Sequence, residues 1–255
     1  MRINPEKIGI LVPDGRHIKP AIESLLESRG IKTELWNNGR LHADVRNAPV
    51  TLTFQNHADV IGEVEDGISH AGFVGSDRYD EYLASLSPEV TPRVAQLARF
   101  ELFNPHVRLS LLVRNNPEDN KRFQDPGDLR DRQVLTTYPG LVSQFLRRAF
   151  PGELPLPVHI YSRVTGKEEG HIDARRFDAA GVIVDTGRAM DTNNLRELAV
   201  IMRDIQPVLV YNVEYFGDKG HKRLLIKFKG MLQVDNKPGN SVPNLPTLSP
   251  ITAVA

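Results

Sequence analysis

The segment best suited to chemistry is Asp185-Thr186-Gly187-Arg188, which follows the short apolar run 181–184. If that run is a strand and a helix follows, then backbone N–H groups, a hydroxyl and a guanidinium surround one point, an arrangement that binds phosphate. Arg188 adds a bidentate donor, and the Asp185 carboxylate suits ribose hydroxyls or a Mg²⁺ ion held through water. The alternative is an ordinary strand-to-helix turn in which Gly187 serves only backbone geometry.

Two further turns offer ligand contacts. Pro13-Asp14-Gly15-Arg16 closes the first apolar run, and Arg16 is placed to meet an anion because ligands of open α/β sheets collect at the carboxyl ends of strands. In the stretch 66–81, three glycines surround a four-residue apolar run that Ser76-Asp77 follows, which indicates a tight turn where backbone approaches a ligand. A surface arginine and a helix N-cap are the respective alternatives.

The elements that must position these residues alternate between strand and helix patterns. Ile8 to Val12 is an apolar run typical of a buried strand, and apolar residues at i, i+3, i+4, i+7 and i+8 from Ile18 predict a helix. The same reasoning predicts strands over 71–74, 107–113, 133–136, 158–164, 181–184 and 207–211, and helices over 60–64, from 77, over 141–150 and over 194–205. Residues 115–132 and 150–157 read as connections, and the tail after Asp235 as extended or disordered chain. This alternation predicts an α/β fold.

Composition excludes several classes of function. The 255 residues carry 32 basic and 32 acidic side chains, so no broad basic field favours nucleic acid or an anionic membrane as a partner. Cysteine is absent, which excludes thiol nucleophiles and cysteine–zinc sites, and the eight histidines show no metal-ligand pair at helical spacing. The first apolar run, of only about six residues, is too short for a signal sequence or a membrane span, so we expect a cytoplasmic protein.

Taken in order, these segments resemble ATP phosphoribosyltransferase, the family that opens histidine biosynthesis. The family's Pro-Lys-Gly-Arg turn is similar to residues 13–16, its Asp-Gly-x-x-Asp-x-Gly-Ile-x-Gly-x-Asp-x-x-x-Glu stretch to 66–81, and its Ala-Thr-Lys-Tyr-Pro to 135–139. A Gly-x-x-Glu, an Asp nine residues later and Ser-Thr-Gly-x-Thr-Leu fit residues 166–190 without a gap. The colinear resemblance extends from residue 7 to about 212, and 245–250 is similar to the start of the long form's C-terminal regulatory domain, which would then be missing.

The resemblance implies a two-lobed α/β fold like that of type II periplasmic binding proteins, with the ligands in a central cleft. Lobe one would comprise residues 1–95 and 182–235, lobe two residues 96–181, and residues 236–255 the tail. Homo-oligomers are implied as well. Histidine feedback would be weak or absent, or regulation would come from a separate subunit.

The implied reaction joins N1 of ATP to C1 of phosphoribosyl pyrophosphate with inversion, releases pyrophosphate and uses Mg²⁺. Because the anomeric carbon becomes cationic while charge builds on pyrophosphate, the site needs Mg²⁺ and cationic donors at the leaving group. The resemblance assigns catalytic roles, at ribose hydroxyls or Mg²⁺, to Glu169, Asp178 and Asp185. It assigns the phosphoribosyl pyrophosphate site to Asp185, Thr186, Gly187, Arg188 and Ala189, and the nucleotide site to Gly15, Arg16, Gly72, Gly75, Asp77 and Tyr138.

Five positions depart from the family pattern. Lys, Arg, Lys, Asp and Thr of the family are replaced by Asp14, Asn56, Thr137, Val182 and Ala189. Each lost phosphate contact would cost about 1.5 to 3 kcal/mol if uncompensated. These departures favour a rival hypothesis, a non-catalytic module that binds a small anion or nucleotide, whereas the gapless match favours the enzyme. A third hypothesis is a transferase on the same fold with another nucleophile.

Overall fold

Two stretches of the chain form one sheet, and the stretch between them forms another. The computed structural model describes residues 7–14, 18–31, 42–45, 48–101, 107–162, 168–173, 176–217 and 219–233. The first stretch contains β1 (Ile8–Pro13), α1 (Ile18–Ser28), β2 (His42–Asp44), β3 (Val50–Gln55), α2 (Val60–Glu65), β4 (Ala71–Gly75), α3 (Ser76–Ser85) and β5 (Val94–Arg99). The middle stretch contains β6 (Arg108–Arg114), α4 (Pro117–Arg122), β7 (Gln133–Thr136), α5 (Pro139–Leu146), β8 (His159–Ser162), α6 (Glu168–Asp173), β9 (Ala179–Val184), α7 (Arg188–Thr192) and β10 (Leu195–Met202). The last stretch contains β11 (Pro207–Asn212) and α8 (Lys219–Leu232).

The first sheet has the strand order β2-β3-β1-β4-β11-β5. β1 is parallel to β3 and β4, whereas β11 is antiparallel to β4 and β5. Successive side chains of β1 point to opposite faces, so Ile10 belongs to the apolar cluster of Ile22 and Phe228, while Leu11 belongs to that of Val60. Helices therefore cover both faces, which explains why the apolar runs of β1 and β4 are continuous.

The second sheet has the strand order β10-β6-β9-β7-β8. β7 is parallel to β8 and β9, whereas β6 is antiparallel to β9 and β10. One face packs against Val142 and Leu146 of α5, and the other packs against Ile172 of α6. Each sheet thus has its own core, and the predicted two-lobed α/β architecture is confirmed.

The lobe boundaries differ from the predicted ones. The chain enters the second sheet after β5 and returns to the first only at β11, so β9 and β10 lie in the second sheet. Lobe one therefore does not resume at residue 182, because β9 is held between β6 and β7 by pairing on both sides. The predicted first boundary at 95 cuts β5, whose register with β11 runs from Val94 to Arg99. The predicted tail, 236–255, lies outside the described residues.

One predicted helix is wrong. Residues 194–205 contain β10, which pairs antiparallel with β6. Register shifts between Glu197 and Ala199 and between Val200 and Met202 interrupt the alternation of a regular strand. Apolar residues then recur at a spacing that imitates a helix.

The predicted connection 115–132 contains the short helix α4. Asn116 caps this helix, since its side chain accepts a hydrogen bond from the N–H of Asp119, and Pro117 occupies the first turn. In the described ranges, no helix combines the length and the apolar character needed to cross a membrane.

Candidate active site between the two sheets

The first wall of the site is the edge of the first sheet where three parallel strands end. Pro13 of β1 lies opposite Gln55 of β3, and the N–H of Asp14 donates to the Gln55 carbonyl over 2.9 Å. β4 ends at the same edge and passes directly into α3 at Ser76. Asp14 and Ser76, which directly follow β1 and β4, therefore lie along one edge of the sheet, the edge where ligands of open α/β sheets collect.

The second wall is the edge of the second sheet where β7 and β9 end. Thr136 lies opposite Gly181, and its hydroxyl donates to the Gly181 carbonyl over 2.8 Å. The same hydroxyl accepts the N–H of Tyr138 over 2.9 Å. The loop after β7 is thus tied to β9, whose own loop carries Asp185 to Arg188.

The two walls meet along a seam between α3 and α5, formed by Asp77, Arg78, Glu81, Tyr138 and Gly140. The Tyr138 hydroxyl donates to Asp77 Oδ2 over 2.6 Å. Arg78 lies over the Tyr138 ring at 4.3 Å. Glu81 accepts the N–H groups of Gly140 and Leu141, each over 2.8 Å, and so satisfies the N-terminus of α5 from the other lobe.

Burial dominates the electrostatics of this seam. It raises the pKa of the Tyr138 phenol well above 10.0, and the neighbouring Asp77 charge acts in the same direction. Burial also raises the pKa of Glu81, although the two N–H donors of α5 and the Arg78 charge oppose the shift. Tyr138 is therefore a neutral hydrogen-bond donor at neutral pH, which suits the carboxylate that it meets.

The loop after β9 presents polar groups to solvent. Gly187 precedes α7 with φ of 77°, a left-handed conformation that a side chain disfavours. Thr186, Arg188 and Ala189 are exposed, Asp185 is half-buried, and the Arg188 N–H points to the Thr186 hydroxyl at 3.4 Å. The predicted strand and turn are present here, but the helix that follows is the five-residue α7, and the helix predicted over 194–205 is absent.

Asp178 does not join Asp185. It precedes β9, and its carboxylate accepts the N–H of Gln133 over 3.1 Å at the start of β7. Asp185 follows β9, so the six-residue strand separates the two carboxylates by about 20 Å. The expectation that both act at one point is corrected: Asp178 holds the far ends of β7 and β9 together.

Glu169 lies on α6, which packs across β9 and β6 through the buried Ile172. Arg114 anchors this region, because its Nη1 donates to the carbonyls of Ile172 and Phe177, each over 3.1 Å, and its Nε donates to Asp119 over 2.7 Å. Glu169 is half-buried. The structure thus places it above the face of the second sheet, on the helix that Arg114 fixes.

The nucleotide-site predictions divide into described and undescribed residues. Gly15 and Arg16 lie outside the described residues. Gly72 is a packing position, since an added Cβ would lie 2.6 Å from Val60. At Gly75 an added Cβ would lie 2.0 Å from Asp77 Oδ1, so this glycine makes room for the carboxylate.

Asp77 and Tyr138 are brought together but are buried against each other, with 6% and 4% of their surfaces exposed. Both hold the wall of the site in place rather than line it. Arg78 is the residue that the sequence reasoning missed, because its proximity to Thr137 and Tyr138 exists only across the seam. Its one sequence signal is its place inside the 66–81 stretch.

The two lobes and their strand orders show a fold like that of the type II periplasmic binding proteins. SsuA, the alkanesulfonate-binding protein of Xanthomonas axonopodis pv. citri, bound to MOPS, has a TM-score of 0.56 at 11% identity, over 91% of this chain and 73% of that one. The aliphatic sulphonate binding protein SsuA of Escherichia coli gives 0.54 at 14% identity, over 90% and 72% of the two chains.

A more specific likeness is to the ATP phosphoribosyl transferase (HisG:HisZ) complex of Thermotoga maritima. Its TM-score is 0.62 at 19% identity, covering 88% of this chain and 96% of that chain. The model of the ATP phosphoribosyltransferase family, HisG, matches residues 56–232. The chain therefore belongs to the ATP phosphoribosyltransferase family, as the motif resemblance indicated.

Proposed function

We propose that this protein transfers the phosphoribosyl group of phosphoribosyl pyrophosphate to N1 of ATP and releases pyrophosphate. The observation that carries the proposal is the loop after β9. There Gly187 makes a left-handed turn and leaves Thr186 and Arg188 exposed beyond the carboxyl end of β9. The family match spans this loop.

The loop supplies the groups that the phosphoribosyl end needs. The Thr186 hydroxyl, the Arg188 guanidinium and the backbone N–H groups beside Gly187 and Ala189 bind the 5-phosphate through charge-assisted hydrogen bonds. Asp185 accepts hydrogen bonds from the ribose hydroxyls. This holds C1 of the ribose toward the first sheet, where the nucleotide binds.

In the reaction the bond from C1 to pyrophosphate breaks, pyrophosphate leaves with the electron pair, and N1 of the adenine forms the new bond to C1 with inversion. Gly15 and Arg16, which follow β1 in the sequence, contribute the nucleotide side. Gly75, Asp77 and Tyr138 act through the seam, because they fix the distance between the two edges. Catalysis then comes chiefly from positioning and from cationic donors at the leaving group.

Mg²⁺ fits this site as an ion held largely by the substrate. Mg²⁺ in phosphate sites is bound through one or two carboxylates together with phosphate oxygens. Asp185, beside the exposed Thr186 and Arg188, offers such a carboxylate, and the described residues contain no cluster of three metal-ligating side chains. The ion would neutralise charge on the departing pyrophosphate.

A separate regulatory subunit and self-association belong to the same proposal. The solved Thermotoga maritima relative is a complex of HisG with HisZ. We expect this chain to bind such a second subunit, and its activity is best assayed with and without that subunit.

A second candidate function is the binding of an anionic ligand without catalysis. Val182, at the position of the family's strand aspartate, is buried in the apolar cluster of Ile172 and Leu135. The site therefore lacks one carboxylate, and Asp77 is committed to Tyr138. A ligand-binding protein of the same fold needs neither group to react.

Turnover distinguishes the two candidates. The full-length protein is mixed with phosphoribosyl pyrophosphate, Mg²⁺ and ATP, and pyrophosphate release and the ultraviolet absorbance change are followed. We expect turnover that Arg188→Ala reduces by about tenfold to a hundredfold, since it removes a charge-assisted phosphate contact. Arg130→Ala is the matched control, because Arg130 forms an exposed ion pair with Glu153. Absence of turnover with retained binding of phosphoribosyl pyrophosphate would favour the second candidate.

A further inference from the structure

Among the described residues, the Arg78 side chain forms no direct ion pair, although its charge acts on the nearby Glu81 carboxylate. Arg108, Arg114 and Arg130 each form an ion pair with a carboxylate. Arg78 instead donates from Nη1 to the Thr137 carbonyl over 3.3 Å and stacks on Tyr138. A partly buried charge is costly unless it is paired, so the Arg78 guanidinium favours an anionic partner.

One edge of the guanidinium is unused. The Nε atom of Arg78 is buried and has no hydrogen-bond partner in the part of the chain that the structure describes. Nη2 makes no hydrogen bond to those residues either, whereas Nη1 is engaged with Thr137. Nε–H and Nη2–H form the parallel pair of donors that takes two oxygens of one oxyanion.

The neighbouring carboxylates do not occupy this edge. Asp77 Oδ2 accepts the Tyr138 hydroxyl, and both oxygens of Glu81 accept N–H groups of α5. Stacking on Tyr138 and the bond to Thr137 fix the plane of the guanidinium. The free edge is thus held in place before any ligand arrives, which lowers the entropy lost on binding.

We infer that the Nε and Nη2 edge of Arg78 binds a phosphate group of the ligand that enters between the lobes. The inference rests on the proposed function only for the identity of the phosphate, which belongs either to ATP or to the pyrophosphate moiety. Arg78 would place a cation next to Thr137, where the family pattern has a lysine. The charge of that lysine is then supplied from the other side of the seam.

Calorimetric titration of the full-length protein with inorganic pyrophosphate, ATP and phosphoribosyl pyrophosphate, each separately, tests the inference. Arg78→Met keeps the aliphatic stem over Tyr138 and removes the donors, and Arg78→Lys keeps the charge without the paired donors. Arg93→Met is the matched control, since Arg93 forms an exposed ion pair with Glu214 near the opposite edge of the first sheet. Thermal unfolding without ligand is measured for every variant.

We expect Arg78→Met to lower the affinity for at least one of the three ligands by tenfold or more. Arg78→Lys should lower that affinity less, and Arg93→Met should leave it unchanged. Lower affinity for ATP alone assigns the phosphate to the nucleotide. Lower affinity for both inorganic pyrophosphate and phosphoribosyl pyrophosphate assigns it to the pyrophosphate moiety. Unchanged dissociation constants in Arg78→Met overturn the inference even if the melting temperature falls, because Arg78 is then only structural.

Two further outcomes are decisive. If Arg78→Met does not fold, unchanged binding in Arg78→Lys overturns the inference, and so does a wild-type protein that binds none of the probes. Arg78-dependent binding without turnover would remove the proposed function and leave the inference standing. Turnover together with ligand affinities that the Arg78 variants do not change would support the proposed function and overturn the inference.

Discussion

The Tyr138 hydroxyl and Asp77 Oδ2 lie 2.6 Å apart, although the two residues are 61 positions apart in the chain and belong to different lobes. Both side chains are buried, so this bond is shielded from competing water. It joins the loop after β7 to the first turn of α3. β7 and β4, the strands that precede these two segments, both end at the site. The bond therefore links the stability of the seam to the spacing of the two site edges.

Tyr138→Phe removes the donor and leaves the buried Asp77 carboxylate short of one hydrogen bond. We expect the free energy of unfolding to fall by about 1 to 3 kcal/mol, the usual cost of stranding such a group. Urea unfolding measures the change. Tyr161→Phe is the control, since Tyr161 is 43% exposed. Equal losses in the two variants would contradict a specific role of the Asp77 bond.

The raised pKa of Glu81 makes the free energy of unfolding depend on pH, and it fixes the direction of that dependence. Because burial raises its pKa above 4.5, the folded state favours the protonated form. Its contribution to stability is therefore full below pH 4.5 and is lost as the pH rises through the folded-state pKa. In urea unfolding from about pH 4 to pH 7, the free energy of unfolding should fall with pH more in the wild type than in Glu81→Gln.

Glu153→Gln is the control of opposite sign. The Arg130 guanidinium lowers the pKa of Glu153, so its contribution is present above pH 4.5 and is lost as the pH falls. The difference between wild type and Glu153→Gln should thus grow with pH, while that for Glu81→Gln shrinks. If the stability difference from wild type changed with pH in the same direction for both variants, the raised pKa of Glu81 would be contradicted.

Local patterns were sufficient to predict most strands that build the site. β1 and β7 are apolar runs bounded by turn residues, and β7 begins and ends at the predicted residues 133 and 136. β10 was missed because two register shifts erase its alternation. Strand length alone would have shown that Asp178 and Asp185 cannot meet, since a regular strand must separate them.

The contacts of the seam could not be predicted from local sequence patterns. Glu81 caps α5 from 59 residues away, and nothing near Gly140 in the chain signals that its N–H has a carboxylate partner. Likewise, Arg78 looks like one more surface cation until Thr137 and Tyr138 are placed against it. Contacts between lobes depend on how two separate cores dock, and that information is spread over both.

Gly187 is where conformation and ligand binding are most closely coupled. Gly187→Ala forces a side chain into φ of 77° and should cost about 1 kcal/mol of stability while it displaces the loop that carries Thr186 and Arg188. Gly152→Ala is a matched control, because Gly152 has φ of 79° and nothing within 4 Å of the added Cβ. Calorimetry with phosphoribosyl pyrophosphate should show weaker binding only for Gly187→Ala. Equal affinities for both variants would remove this loop from the ligand site.

Asp178 and Asp185 lie at opposite ends of β9, and we expect the first to affect stability and the second to affect ligand binding. Asp178→Ala removes the acceptor for the Gln133 N–H, so we expect a loss of about 1 kcal/mol in urea unfolding and unchanged affinity for phosphoribosyl pyrophosphate. Asp185→Ala should instead alter ligand affinity and its dependence on Mg²⁺, because that carboxylate follows β9 at the site edge. If Asp178→Ala weakened the ligand as much as Asp185→Ala does, at unchanged stability, the two carboxylates would act on one ligand despite their places at opposite ends of β9.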